Sequence, residues 1–508
     1  MFKPKSKFLG FTLTALLGMA ALTGCSGGDK TSNDGNTNKE GGDEKVKFTI
    51  MANLHTPEVP SDKIQKLIEE KTNTELKIQW TPDGNYEEKL STAFSTQTFP
   101  EAVFMKNITT FLQFKEAIRD GQFWEIEPYL DEFPNLKNLN PQILDNTRVD
   151  GKLYTLYQGR PLSRQGLIYR KDWADKLGLK APTTTEEFFE MARAFTEDDP
   201  DGNGKDDTFG LSDRSDLIYG AFKTVASWFG TPNGWGEKDG QLLPEFMFDE
   251  YYETMDFFKE LRNKGYMNQD FPVTSKDDQQ AFFKNGTAGM YVGSMADVLS
   301  IHRDAVDINP DVEYDVVNKI AGPDGEFGIW AIPGYGTVVM FPKSAVKDEE
   351  QLKGILGFFD KMASPEISNL YFWGLEGEHY TVEDGKALIV DDTALTDREV
   401  KPYQALEIGE PATNGRYEGL SNYDVKEKAE ELIVDNENYL IHDPTTPLDS
   451  KTFIERGEIL NQQMTDATYQ YILGKIDKEG FEKEINKWKE GGGEDIIKEF
   501  NDSWEASK

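Results

Sequence analysis

Lys47-Phe48-Thr49-Ile50-Met51 alternates polar and apolar side chains, the period of a half-buried strand. Outward from it, Ser61 to Lys71 carries apolar groups at helical spacing (Ile64, Leu67, Ile68) behind a serine placed to cap them. Leu76 to Trp80 alternates again, Tyr86 to Phe94 has the helical period, and Glu101 to Met105 reads as a third strand. Strand–helix–strand–helix–strand at this spacing predicts an α/β fold with a parallel sheet covered by helices. Its crossovers should be right-handed, and a ligand crevice should lie beyond the carboxyl ends of the strands. The loops lining it would begin at Asn53, at Asn85-Tyr86 and at Lys106-Asn107.

Farther along, Gly151 to Leu156 and Gly166 to Arg170 read as strands, and Thr183-Thr184-Thr185-Glu186-Glu187 as a helix start with acids in its first turn. Tyr251 to Lys264 is helical, Ala288 to Val292 a strand, Trp330 to Phe341 strand-rich, and Glu350 to Met362 an amphipathic helix. From Asp424 the chain is mainly helical, with Gly491-Gly492-Gly493 breaking it before a last helix at Ile496 to Trp504.

Lys3, Lys5 and Lys7 precede an apolar run from Phe8 to Leu22 that is too short to span a bilayer, which takes roughly 20 residues. The run reads as the core of a signal peptide over 1–24. It ends in Leu22-Thr23-Gly24-Cys25, which resembles a bacterial lipobox, and Cys25 is the only cysteine in 508 residues. The resemblance implies a diacylglyceryl group on that sulfur. Two chains at about 0.8 kcal/mol per buried methylene suffice for stable anchoring on the outer face of a Gram-positive cell membrane. Residues 26–45 contain no large apolar group and read as a flexible tether reaching about 25 Å.

The formal net charge is −36 and becomes −39 when three lysines leave with residues 1–24. Nucleic-acid binding, which needs basic stripes facing phosphate, is excluded. With Cys25 lipidated no thiol remains for disulfides, metal or nucleophilic chemistry, and four dispersed histidines (His55, His302, His379, His442) argue against a zinc enzyme. The 463 residues from 46 onward exceed the roughly 250–300 at which single cores divide, so at least two lobes are expected.

The series Tyr169-Arg170-Lys171-Asp172-Trp173, Lys176-Leu177-Gly178-Leu179 and Ala181-Pro182-Thr183-Thr184 resembles the extracellular solute-binding proteins of family 1. It is most similar to the large lipoprotein branch that includes alginate-oligosaccharide-binding proteins. Asp199 to Gly204, Phe283 to Met290, Trp373 to Tyr380 and the Trp488 to Asn501 terminus fit the same branch in the same order. The resemblance implies a two-lobe periplasmic-binding-protein-like α/β fold with a hinge, an inter-lobe cleft and a helical C-terminal region. It places lobe one at 46–163 plus 294–362 and lobe two at 164–293 plus 363–508, with crossings near Leu162-Ser163, Val292-Ser294 and Ala363-Pro365. The implied role is a monomeric substrate-binding component of an ABC importer that hands an oligosaccharide to membrane permease subunits. Lacking GxxxxGK[ST], the chain leaves ATP hydrolysis to other proteins.

Three constellations carry chemistry. Asp199, Asp201, Asn203, Lys205 (through its carbonyl) and Asp207, with Gly204 at position 6, reproduce the first nine positions of a calcium loop. Position 12 is Gly210 instead of glutamate, so water, Thr208 or a neighbouring acid would complete the shell, and the Ca²⁺ would be structural. Aromatic residues beside glycine-rich breaks (Trp228, Phe229, Trp235, Trp330, Tyr335, Trp373, Tyr417, Tyr423) suit the apolar faces of sugars, and equally suit a core. Arg160, Arg164 and Arg416 are candidate carboxylate forks for uronic or sulfated sugars, or else partners of nearby acids. Gln158, Asn53, Asn85 and Asn107 are candidates for reading hydroxyls, and Tyr86 and Lys106 on the crevice loops are further ligand-binding candidates. Glu376 and Glu378 beside His379 raise the alternative of a surface glycoside hydrolase or lyase. Residues two apart in a loop need not converge, so a binding protein with no catalytic residue is the expectation.

Overall fold

A computed structural model describes residues 45–507 apart from 57, 391 and 392. The expected signal peptide, Cys25 and the tether up to residue 44 lie outside the described residues. In chain order the strands of the two main sheets and of one small parallel pair are β1 (Val46–Leu54), β2 (Thr74–Pro82), β3 (Ala102–Met105), β4 (Leu156–Gly159), β5 (Gln165–Arg170), β6 (Phe209–Ser212), β7 (Ala288–Ser294), β8 (Tyr314–Val317), β9 (Ile329–Trp330), β10 (Tyr335–Met340) and β11 (Leu440–Ile441). The helices that matter here are α1 (Lys63–Thr72), α2 (Asp83–Ser95), α3 (Thr185–Glu197), α4 (Ala221–Trp228), α5 (Glu349–Met362), α6 (Pro365–Trp373), α7 (Asp424–Asn436), α8 (Lys451–Ile472), α9 (Lys478–Trp488) and α10 (Glu494–Ser507).

The alternation read at Lys47–Met51 does form a strand, and β1 runs parallel to β2 over Val46↔Thr74 to Leu54↔Pro82 and parallel to β3 at Ile50↔Ala102. Between them α1 buries Ile64 and Ile68 and stops at Asn73, whose left-handed φ of 56° turns the chain directly into β2. Asp62, not Ser61, precedes the first helical residue, and no side chain caps that end. The first sheet has the order β2-β1-β3-β10-β4, with β10 antiparallel to both its neighbours. The second has the order β8-β5-β7-β6 and is mainly antiparallel, only β6 and β7 being parallel. At the C-terminus α8, α9 and α10 pack on the second sheet's core through Leu460, Met464, Phe481, Trp488 and Phe500. The glycine triplet forms the joint between α9 and α10, where Gly492 takes φ 128°, a conformation L side chains rarely adopt.

Each sheet has its own core, and two expected lobe boundaries differ from where the cores lie. Residues 294–334, expected with lobe one, belong to the second sheet: β8 pairs with β5, and Met295, Val298, Ile301, Tyr314 and Val316 pack against Ile168 and Tyr291. Residues 363–408, expected with lobe two, fill the first core through Ile367, Leu370, Tyr371, Tyr403, Leu406 and Ile408. The chain therefore crosses between cores at Leu162–Gln165, at Ile332–Tyr335 and between Tyr417 and Tyr423. The first two crossings lie side by side, Ile332 N–H donating to Leu162 O (2.8 Å) and Arg160 N–H to Gly334 O (2.8 Å). Buried Asn436 at the end of α7 pins the first, donating to Gln165 O (2.9 Å) and Ser163 O (3.3 Å).

Candidate ligand-binding site

Strand directions fix where a crevice can form. β1, β3 and β4 all end on one edge of the first sheet, which also holds the start of β10, so Asn53, Lys106 and Arg160 share that edge. In the second sheet β5 begins where β7 ends (Gln165↔Ser294), and β6, parallel to β7, ends on the same edge. The segment 160–164 joins these two edges, and the site lies beside it.

There, a cavity of about 370 Å³ is lined by Tyr219, Trp235, Trp330, Glu245 and Asp443 among others, with Asn146 and Pro333 contributed from the first core's side. A smaller neighbour of about 30 Å³, lined by Arg164, Ser163 and Gln165, shares Tyr219, Trp330 and Ile332 with it. Tyr219 is 48% exposed and meets the buried Trp330 ring edge-on at 5.7 Å. Its loop is held locally: Asp216 Oδ1 accepts the Ile218 and Tyr219 N–H groups (3.0 and 2.9 Å), and Arg214 donates to Tyr219 O (2.6 Å). Trp330 is fixed by its Nε1–H to Thr224 Oγ1 (3.0 Å) on α4.

The polar groups divide by charge. Neither Arg160 nor Arg164, which reach solvent from the joining segment but stand within the crevice, has a salt-bridge partner among the described residues. Burial and then the Arg164 guanidinium hold the Arg160 pKa below its ordinary value, against the pull of Glu407. Nearby, His55 is held below the usual imidazole range by burial, with Asp83 raising it and Lys401 and Arg160 lowering it. In the larger cavity Glu245 Oε2 accepts from Lys223 Nζ (2.6 Å) and from Gly234 N–H (2.8 Å). Asp443 Oδ1 accepts from Thr445 N–H (2.8 Å) and Oγ1–H (2.6 Å); burial raises its carboxyl pKa to about 6 against those bonds and the Lys223 charge, with a smaller push from Glu245.

Of the residues nominated from sequence, the structure brings Arg164, Trp235 and Trp330 onto these cavities, with Arg160 beside them. Asn53 and Lys106 stand on the crevice edge and meet at Asp83, through its Oδ1 (2.8 Å) and carbonyl (3.0 Å). Asn85 is exposed on α2, Phe229 packs on Phe257, and the rest serve the fold. Tyr86 is wholly buried and ties β1 to β3 by donating to the Met51 and Phe104 carbonyls (3.1 and 2.6 Å). Trp228 is buried against Phe188, and Tyr335 against Phe111. Trp373 donates to Tyr417 O (3.0 Å), and both rings cluster with Tyr380, apart from the cavity. Arg416 lies over Phe372 (3.6 Å) and bonds the buried Glu407 (2.7 Å). Asn107 caps a short helix through Thr110 N–H, Gln158 donates to Gln404 O, and Tyr423 stacks on His302. Tyr219, Lys223, Glu245 and Asp443 were missed because they sit in irregular segments or behind a single helix turn, where no periodicity marks a direction.

The loop Asp199–Asp207 lies between α3 and β6, on the second sheet's edge opposite the crevice. Asp199 accepts from Gly202 N–H (3.0 Å) and Gly204 N–H (3.1 Å), and Asn203 Nδ2 lies between Asp201 (2.6 Å) and Asp207 (3.0 Å). Three carboxylates and an amide thus converge, a donor set of hard oxygens that fits Ca²⁺ once the amide presents its oxygen. Thr208 is buried and its hydroxyl donates to Phe195 O (2.9 Å), anchoring the start of β6. The exposed Asp206 is the neighbouring acid that remains.

Glu378, His379 and Glu399 also converge within 4.8 Å. The Leu375 N–H donates to His379 Nδ1 (3.0 Å), so the neutral ring carries its proton on Nε2, 3.5 Å from Glu399. A metal would need that nitrogen bare, and Lys63 already bridges Glu378 and Glu399. The cluster is an ion-pair network, neither a metal centre nor a hydrolase dyad.

Two α/β halves joined by three crossings beside a crevice define a two-lobed binding protein. The chain belongs to the bacterial extracellular solute-binding protein family, whose profile matches residues 57–368. It is 42% identical over 506 residues, 99% of each chain, to the polygalacturonan/rhamnogalacturonan-binding protein YtcQ of Bacillus subtilis (strain 168). Lipoprotein LipO of the same organism is 32% identical over 528 residues, again covering 99% of both. Among solved structures, an HMO binding ABC-transporter associated solute-binding protein from Bifidobacterium longum infantis superposes with TM-score 0.70 at 17% identity, covering 92% of this chain and 99% of that one. An EF-hand mutant of the ABC-transporter substrate-binding protein FusA from S. pneumoniae gives 0.58 at 19% identity, covering 91% and 100%. The protein is accordingly a solute binder and not an enzyme. No helix of the described residues is long and apolar enough to cross a membrane.

Proposed function

We propose that this protein captures a uronate-containing oligosaccharide for an ABC importer, acting as a monomer held to the outer membrane face through Cys25. The observation that carries this reading is the pair of guanidinium groups, Arg160 and Arg164, neither in a salt bridge among the described residues, beside an aromatic-walled cavity in a chain of net charge −36. A carboxylate bound there gains charge-assisted hydrogen bonds of about 1.5–3 kcal/mol each, while Tyr219 and Trp330 meet the apolar sugar face. YtcQ, named for binding galacturonate polymers, supports that ligand class, and LipO supports the lipid anchor. Contacts to both halves favour a closed form, to the extent that the ligand binds it better than the open one. The permease would receive the closed form. A structural Ca²⁺ in the 199–207 loop completes the reading, in line with the EF-hand named for FusA.

Titration calorimetry with trigalacturonate tests it. Arg160→Ala/Arg164→Ala should weaken binding by about two orders of magnitude, from two lost charge-assisted contacts. Unchanged affinity in that variant, or tighter binding of neutral maltotriose by the native protein, would refute the assignment.

A further inference from the structure

The two halves are also linked at a place that owes nothing to the crossings of the chain. Asp449 lies just before α8, between Leu448 of the second core and Ser450, which caps that helix. Its N–H donates to Ser503 Oγ (3.2 Å) on α10, so its backbone is fixed to the second half. Its carboxylate turns the other way. Among the described residues it bonds only groups of the first half, Lys115 Nζ through Oδ1 (3.2 Å) and the Arg119 guanidinium through Oδ2. Both bases stand on the short helix Lys115–Arg119, which Ala117 and Ile118 fix in the first core.

The two bases differ in what they keep if Asp449 withdraws. Arg119 also pairs with Glu116 (2.5 Å) and Asp150 (3.2 Å) on its own side. Lys115 is 3% exposed and has no ion-pair partner besides Asp449 among the described residues. A buried ammonium that depends on an acid from the opposite half is costly to leave unpaired. Thr446 and Phe453, on either side of Asp449 in the chain, line the larger cavity, so the contact closes beside the ligand site. We propose that Asp449 is an inter-lobe latch: it meets Lys115 and Arg119 when the halves shut and releases them when they part, stabilising the closed form whatever the crevice holds. The latch rests on closure of the halves and not on the identity of the ligand. Being made in the closed form only, it shifts the open–closed balance of the free and the occupied protein alike.

Scattering and calorimetry on the mature protein test it. Asp449→Asn keeps the shape and removes the charge. The free variant should show a larger radius of gyration than the free native protein, and trigalacturonate should bind about tenfold more weakly. Lys115→Met, on the opposite half, should act in the same direction, and the double variant should lose less than the product of the two single losses, as partners in one contact do. A free Asp449→Asn protein that scatters like the native one and binds as tightly would overturn the latch. So would single losses that multiply in the double variant, since Lys115 and Asp449 would then act separately. If trigalacturonate does not bind the native protein, the ligand reading falls and the scattering of the free variant alone decides the latch. Arg119→Gln, at a side chain 23% exposed, takes the place of Asp449→Asn should that variant not fold, with the same expansion expected.

Discussion

Arg416 holds a buried carboxylate in check. Its Nε bonds Glu407 at 2.7 Å, its guanidinium covers Phe372, and Glu407 is only 5% exposed. Burial raises the Glu407 pKa, and Arg416 is the first of the groups opposing that rise. Removing one partner of such a pair leaves an uncompensated charge, so Arg416→Ala should cost about 3–5 kcal/mol. Denaturant unfolding checks this, and a loss below 1 kcal/mol would show the pair to be energetically idle. From sequence, Arg416 was indistinguishable from Arg160 and Arg164, since all three are arginines in irregular segments near aromatic residues. What separates them is whether an acid folds into direct contact, as Glu407 does with Arg416 at 2.7 Å, while it reaches Arg160 only through its charge. The same holds for Tyr86 and Trp228: a large aromatic at an element's end is compatible with a pocket or a core, and only the packing decides.

Among elements, the 199–207 loop makes the clearest separation of stability from binding. It sits on the edge of the second sheet away from the crevice, so the proposed Ca²⁺ would steady that sheet without touching ligand. At a hundred times its dissociation constant, Ca²⁺ would add about 2.7 kcal/mol. A chelator should lower the melting temperature by a few degrees, Asp207→Ala should abolish the response, and trigalacturonate affinity should stay within about twofold. A chelator-insensitive melt would refute the calcium assignment. The convergence of the loop's carboxylates was legible because they lie within nine residues. So was the β1–α1–β2–α2–β3 unit, where periodicity and neighbouring partners coincide. β10 was readable as a strand-rich stretch, but its insertion between β3 and β4 was not, because pairing across about two hundred residues leaves no local trace. β8 and the 363–408 segment were assigned to the wrong halves for the same reason.

At the scale of the whole molecule, two adjacent crossings and Asn436 form a narrow joint, while the third crossing, between Tyr417 and Tyr423, runs separately. A joint of this kind permits rotation of one core against the other, opposed by the ion pairs of Lys115 and Arg119 with Asp449 that also link the halves. Small-angle scattering should therefore show a smaller radius of gyration with saturating trigalacturonate, and no change with a neutral trisaccharide. An unchanged profile at saturation would mean that binding proceeds without closure.

The repeated crossing also governs how the polypeptide is made. The first core gathers residues from Phe48 to Ile408 and the second from Leu167 to Phe500. Neither can be finished until most of the polypeptide has emerged, so each half waits on a distant stretch, and the nascent chain stays unfinished through nearly all of its synthesis. For a protein that must pass a membrane before it works, such late completion favours a threadable, unfolded traveller that gains its shape only on arrival.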